Sequence, residues 1–324
     1  MKKSAKLLIA CSAAAAAVGA SSYALAKLIT DSALDRKEPR LVSKLKTMIS
    51  GSDPEGKLSA SIKEELRCGA ELLRARETET PVITAKDGVS LTGHWCPHPT
   101  PKRVIIAMHG WRSSWTHDFA SIAAFWYDKG CSVLYPDQRG QNESGGDYMS
   151  FGMLERFDCL DWINWVNEKC GEDIPLYLAG VSMGATSVLM ASELELAPNV
   201  RGVLADCGFT DPEAIWRHVT KTNLHLPYTI QRGLVDEMCR KKLNLSARAC
   251  STVEALKKSR VPVLFIHGTD DRLVPVEMTY RNYIACTSPK KLLIVPGADH
   301  GMSYLADRKG YQNALLSFWH KYDK

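Results

Sequence analysis

The chain is predicted to fold as an α/β domain: a mostly parallel β-sheet flanked by helices, with a small helical cap. Three observations carry this expectation. Short, wholly apolar runs alternate with helical patterns from about residue 80 onward. One interval, residues 207–260, interrupts that rhythm with helical sequence alone. Between them the chain passes from an apolar run through Gly180-Val181-Ser182-Met183-Gly184 into a small-residue helix start.

The N-terminus differs from all of this. Lys2, Lys3 and Lys6 form a short positive segment, and residues 7–26 carry no charge. About 20 apolar residues can span a bilayer as a helix. This stretch is mostly Ala, Ser and Gly, however, which makes a weak span. Ala24-Leu25-Ala26 also fits a small-residue cleavage site. Leu8-Ile9-Ala10-Cys11 resembles a lipoprotein signal but has few apolar residues before it. Residues 1–27 are therefore read as a signal peptide or an N-terminal membrane anchor. Either places the remainder outside the cytoplasm, because flanking positive charge stays inside. The chain is expected to be anchored at the cell membrane or secreted.

Residues 28–79 form a polar, helix-prone lead-in. Leu41, Leu45, Met48, Ile49, Ile62, Leu66, Leu72 and Leu73 recur at roughly helical spacing. Gly51-Ser52-Asp53-Pro54 breaks this stretch in two.

Residues 80–324 carry the main domain. Runs at 82–84 and 89–95 suit a hairpin around Lys86-Asp87-Gly88, whose Asp-Gly is a turn signal. Apolar runs at 104–108, 131–135, 176–181, 202–205, 261–266 and 291–295 suit strands buried on both faces. Helical patterns at 118–129, 151–169, 183–194 and 278–285 lie between them. Such alternation gives a parallel sheet covered on both sides, with the hairpin as an antiparallel edge. The helical interval reads as 213–222, 227–242 and 252–259. A simple crossover needs far fewer residues. Residues 212–258 are therefore expected to form a cap over the sheet's carboxyl edge, where open α/β sheets carry their sites.

Composition bounds the function. The 324 residues, 45% hydrophobic and 24% charged, suffice for one sizeable core and exclude a disordered chain. The net charge is +5, and Lys2, Lys3, Lys6 and Lys27 account for four of those charges in a segment without acids. The body is thus nearly neutral and lacks the basic stripe of a nucleic-acid binder. The ten cysteines show no Cys-x-x-Cys and no Cys/His spacing suited to zinc. Cys131, Cys159 and Cys207 sit in apolar runs and read as small buried hydrophobes.

The chemistry centres on Ser182. A sharp turn from strand to helix forces strained dihedrals and close backbone approach, so glycines two residues either side of the serine avoid clashes. The helix start that follows supplies a positive dipole end for an oxyanion. A serine hydroxyl needs a base, and the base needs an orienting acid. His300, in Val295-Pro296-Gly297-Ala298-Asp299-His300-Gly301, stands in a loop after the last strand. Asp270 and Asp271 both follow the strand ending near His267, and Asp206 ends another. Serine, acid, histidine is the order this architecture requires.

These motifs resemble the α/β-hydrolase superfamily over roughly residues 80–324. Within it the chain is similar to membrane-anchored or exported serine hydrolases near the serine aminopeptidases and prolyl-oligopeptidase-like esterases. The resemblance rests on His109-Gly110, Asp137-Gln138-Arg139-Gly140 with Ser144 and Gly145, Gly180 to Gly184, His267-Gly268 to Pro275, and Gly297 to His300. It implies a triad of Ser182, Asp271 and His300, with Asp271 rather than Asp270 as the acid. It also implies an oxyanion hole from the backbone N–H groups of Trp111 and Met183. Relatives often carry His where Gln141 stands, at a position outside the triad.

Asp137 and Arg139 are expected to be structural, His109 to shape the oxyanion loop, and His267 to be a satisfied core residue. Trp111 and Trp115 are expected near the mouth of the site, and Trp216, His218 and Tyr228 could line an acyl pocket or simply pack. The expected function is a serine hydrolase of carboxylic esters, acting on a small-molecule ester or short peptide without metal or organic cofactor. A peptidase, amidase, thioesterase or acyltransferase with the same triad remains open, as does an inactive hydrolase-fold binding module. A dehalogenase would need an acid where Ser182 stands.

Overall fold

The computed structural model describes residues 2–39 and 58–323, with side chains from Val18 onward in the first stretch. Helix α1 (Lys2–Leu34) is continuous through residue 27, where the expected leader ended. Among the described residues no helix is long and apolar enough to cross a membrane. The expected spanning segment owes its neutrality to Ala, Ser and Gly, which contribute little hydropathy. Of the lead-in, the expected positions 41, 45, 48 and 49 and the break at 51–54 lie outside the described residues. The second half is helix α2 (Ala60–Arg76), capped by Ser59, whose hydroxyl accepts from Ile62 N–H at 3.3 Å. It buries Leu73.

Eight strands make one sheet: β1 (Val82–Thr84), β2 (Ser90–Cys96), β3 (Arg103–Met108), β4 (Cys131–Pro136), β5 (Leu176–Val181), β6 (Val200–Asp206), β7 (Val263–Gly268) and β8 (Lys290–Val295). Their order is β1-β2-β4-β3-β5-β6-β7-β8. The β1–β2 and β2–β4 pairs are antiparallel, and every pair from β4 to β8 is parallel. The hairpin is therefore the antiparallel edge expected from its Asp-Gly turn. Central strands alternate between two cores. Ile105, Ala107, Tyr177 and Ala179 pack on one face, and Val104, Ile106, Met108, Leu176 and Leu178 on the other. That period of two explains why these strands read as unbroken apolar runs.

Three expected helices differ in extent. The pattern at 118–129 divides into α3 (Trp115–Asp118) and α4 (Ala123–Asp128). That at 151–169 starts only at α5 (Glu155–Cys170), because Phe151 and Gly152 adopt φ of 56° and 96°. Helix α6 (Met183–Ala191) follows β5 directly. The cap consists of α7 (Pro212–His218), a π turn over Val219–Asn223, α8 (Arg232–Leu243) and α9 (Thr252–Leu256). Asp211 caps α7 by accepting from Ala214 N–H at 2.8 Å, with Pro212 at the first helical position. Helix α10 (Val276–Ala285) follows β7, and α11 (Ser303–Ala306) and α12 (Arg308–Tyr322) close the chain. A third apolar core joins α1, the cap and the loops above the sheet, through Leu34, Phe151, Phe209, Trp216, Val235 and Val274. Cys131, Cys159 and Cys207 are buried thiols, and all nine cysteines with described side chains are free.

Candidate active site

Ser182 occupies the turn between β5 and α6 with φ 56° and ψ −116°, a conformation that L-residues avoid. The glycines around it are sterically required. A Cβ on Gly184 would stand 1.9 Å from the Met108 carbonyl oxygen, and one on Gly180 would stand 2.3 Å from the Gly184 carbonyl carbon. Helix α6 can therefore press against β3 only through glycine.

His300 comes from the loop after β8. Its Nε2 lies 2.9 Å from Ser182 Oγ, and its Nδ1 lies 2.7 Å from Asp271 Oδ2. In the resting tautomer Ser182 donates to Nε2 and Nδ1–H donates to the carboxylate. Asp271 follows β7 and is buried. Its Oδ1 accepts from the N–H groups of Leu273 at 3.0 Å and Val274 at 2.8 Å. Burial disfavours charge on both groups, yet each overcomes it. The cationic His300 and the hydrogen bonds from His267 and His300 hold Asp271 below the usual carboxylate range. The Asp271 carboxylate in turn raises His300. Asp270 is exposed and accepts from Thr269 Oγ1. Asp206 is buried and accepts from Ser303 Oγ at 3.0 Å, away from the histidine.

His267 matches its expected role as a satisfied core residue and does more besides. Its Nδ1 lies 2.7 Å from Thr279 Oγ1, and its Nε2 lies 3.0 Å from Asp271 Oδ2 and 2.9 Å from the Val274 carbonyl. It thereby holds the same carboxylate oxygen that His300 contacts. Asp137 and Arg139 are structural: Arg139 pairs with buried Asp158 and with Asp87, and Asp137 accepts from Glu143 N–H at 3.0 Å.

The loop at 109–112 lies against the serine, since a Cβ on Gly110 would stand 3.5 Å from Ser182 Cβ. His109 shapes it, with Nδ1 2.7 Å from the Gly110 carbonyl and Nε2 accepting from Gln138 N–H at 3.1 Å. Other anchors were not evident from sequence. Gly110 N–H donates to Asp118 Oδ2 at 2.6 Å. Gln141 Oε1 accepts from the N–H of Arg112, a residue at φ 50°. Met183 opens α6, where N–H groups lack intrahelical acceptors.

An apolar cleft opens beside Ser182. Trp111 and Trp216 line it as expected, together with Phe151, Phe209 and Leu273. The expectation for two aromatic residues is corrected. Trp115 is buried in the sheet core, stacked on His94 at 4.5 Å and tilted on Tyr135 at 5.4 Å. Tyr228 is buried in the third core rather than on the cleft wall. Trp115 was placed from its loop position and Tyr228 from its place in the cap, and the fold buries both in apolar cores. The unexpected wall is helix α1, which contributes Leu25, Leu28, Ile29, Ser32 and Ala33.

Cys207, Asp271 and His300 offer ligand atoms within 4.8 Å of one another, the geometry of a potential metal site. The donor set does not suit an ion. Burial pushes the Cys207 thiol up to about 11, so it is neutral, and both His300 nitrogens are engaged by Ser182 and Asp271.

Residues 117–324 match the prolyl oligopeptidase family. The chain is 29% identical over 238 residues to the uncharacterised protein YqkD of Bacillus subtilis, covering 73% of this chain and 77% of that protein. It is 25% identical over 249 residues to YfhR of Escherichia coli K12, covering 74% and 80%. The Pyrococcus furiosus esterase Pf2001 superposes with a TM-score of 0.62 at 22% identity, over 78% of this chain and 95% of that one. The chain belongs to the prolyl oligopeptidase family, within the α/β-hydrolase superfamily.

Proposed function

We propose that this member of the prolyl oligopeptidase family hydrolyses carboxylic esters through an acyl-enzyme on Ser182. The observation that carries the proposal is the relay from Ser182 Oγ to His300 Nε2 at 2.9 Å and from His300 Nδ1 to Asp271 at 2.7 Å. His300 takes the Ser182 proton as Oγ attacks the carbonyl carbon. The N–H groups of Trp111 and Met183 receive the negative oxygen. Asp271 keeps the imidazole oriented and stabilises its cation. The C–O bond breaks as His300 gives its proton to the leaving alkoxide. Water then adds to the acyl-enzyme, its proton going to His300, and Ser182 is released with the acid.

The apolar cleft supports an ester over a peptide. Among the described residues no charged side chain lines it. The family assignment supports a second reading, a peptidase or amidase on the same triad. The Lys-rich start and uncharged residues 7–26 support a site of action outside the cytoplasm, on a chain anchored at the membrane or secreted. Fractionation of the native host, with protease added to intact cells, checks that placement.

The functional test treats the full chain with a fluorophosphonate probe and with p-nitrophenyl esters of graded acyl length, beside Ser182→Ala. Labelling and turnover, both lost in the variant, are expected. Labelling without ester turnover would move the assignment to a peptidase or amidase. A folded protein that does not label would be an inactive binding module.

A further inference from the structure

Helix α1 ends inside the site. Leu25, Leu28, Ile29, Ser32 and Ala33 recur at three- and four-residue spacing, so they form one face of the helix, and that face lines the same cleft as Ser182. Lys27 lies off that face, mostly exposed, paired with Asp31 at 2.5 Å. The helix is also fastened. Lys242 of the cap pairs with Asp31 at 3.1 Å and with Asp35. The Trp111 indole N–H donates to the Ala33 carbonyl at 2.9 Å, and the Arg112 guanidinium donates to the carbonyls of Ser32 at 3.1 Å and Asp35 at 2.5 Å. The last carbonyls of a helix have no intrahelical donors. Here two neighbouring residues of the oxyanion loop supply them. The end of α1 and the loop beside Ser182 are one assembly.

The opposite wall comes from the cap through Ile215, Trp216, Val219 and Leu226. Polar side chains on the lining are limited to Ser32, Ser182, Thr220 and the indoles, and the Trp111 indole N–H is already taken by Ala33. A cleft of this shape desolvates hydrocarbon and, among the described residues, offers a charged acyl group no counter-charge.

We infer that the C-terminal turns of α1 are the specificity-determining wall of the acyl pocket, selecting esters with a long apolar acyl chain. The inference rests on Ser182 as the acyl-transfer nucleophile only for the identity of the ester; the wall itself is a binding property. It makes the N-terminal segment part of the enzyme's working site in addition to any targeting role.

The test uses the full chain in mild detergent. Leu28→Trp fills the pocket from α1, Leu28→Asp sets a charge on its wall, and Lys27→Ala changes the neighbouring exposed position. The ratio of kcat/KM for p-nitrophenyl decanoate to that for the acetate is read for each. The ratio is expected to fall about tenfold or more in both Leu28 variants and to stay within about twofold in Lys27→Ala, since each buried methylene is worth roughly fourfold. Binding of dansyl-undecanoic acid to Ser182→Ala, with and without Leu28→Asp, reads the same wall without turnover, and about tenfold weaker binding is expected. Turnover with an unchanged ratio in both Leu28 variants would overturn the wall and keep the esterase. Fatty-acid binding that Leu28→Asp weakens, in a protein that turns over no ester, would keep the wall and remove the esterase. Equal dansyl-undecanoic acid binding with and without Leu28→Asp would overturn the inference whatever the catalytic result.

Discussion

Asp271→Asn is the substitution that most directly tests the relay. The carboxylate accepts four hydrogen bonds: Oδ1 from the N–H groups of Leu273 and Val274, and Oδ2 from His300 Nδ1 and His267 Nε2. An asparagine keeps its carbonyl where two backbone N–H groups point, because an NH₂ there would face donors. Its NH₂ then faces His300 Nδ1 and donates to it. His300 is forced to carry its proton on Nε2, the nitrogen 2.9 Å from Ser182 Oγ, and cannot act as a base. Loss of the correct tautomer in such a relay costs about 10⁴ in kcat, or about 5 kcal/mol at ~1.36 kcal/mol per decade. The assay is steady-state ester hydrolysis with a parallel fluorophosphonate labelling rate, and thermal melting to establish folding. Asp270→Asn is the control, and its exposed side chain predicts near-full activity. A folded Asp271→Asn enzyme within tenfold of wild type, or an inactive Asp270→Asn, would refute the assignment of the acid.

Four further predictions follow from the geometry. Activity should rise with pH as His300 loses its proton; because the Asp271 charge raises the histidine, the inflection of the residual activity in Asp271→Asn should lie at lower pH, and an unmoved inflection would count against their coupling. Since Asp271 is lowered on folding, the stability it contributes is present above the unfolded carboxylate value of about 3.9 and is lost as pH falls below it, so melting temperature should drop more steeply in acid for wild type than for Asp271→Asn. Gly184→Ala should cost about 3 kcal/mol or more, because its Cβ meets the Met108 and His109 carbonyl oxygens at 1.9 Å and 2.7 Å, whereas Gly233→Ala, with open space around it in α8, should be neutral or stabilising in denaturant melts. Arg139→Met should destabilise by about 3–5 kcal/mol, since it strands the buried Asp158 carboxylate, and urea unfolding would show it.

The sequence by itself determined the sheet and singled out Ser182 and His300, which the fold brings within 2.9 Å of each other. Apolar runs set against helical patterns give a parallel sheet, because strands buried on both faces leave no polar positions. The glycines around Ser182 were legible because no other residue tolerates a backbone approach as close as that of Gly184 to Met108. The choice between Asp270 and Asp271 needed either family motifs or the fold. Two adjacent residues after a strand point to opposite sides, and only the turn's path decides which meets His300. Trp115 and Tyr228 were misplaced because proximity to a site in sequence says nothing of which core a side chain enters. Asp118 left no signal, and neither did the particular contacts of Gln141 and His267, since each depends on partners that the folded loops bring together. Helix α1 was the largest gap. Its residues 25–33 read as the end of a leader and the start of a polar lead-in because local hydropathy is all that a sequence displays, whereas their place on the cleft wall depends on Lys242, Trp111 and Arg112, which only the folded chain brings to them.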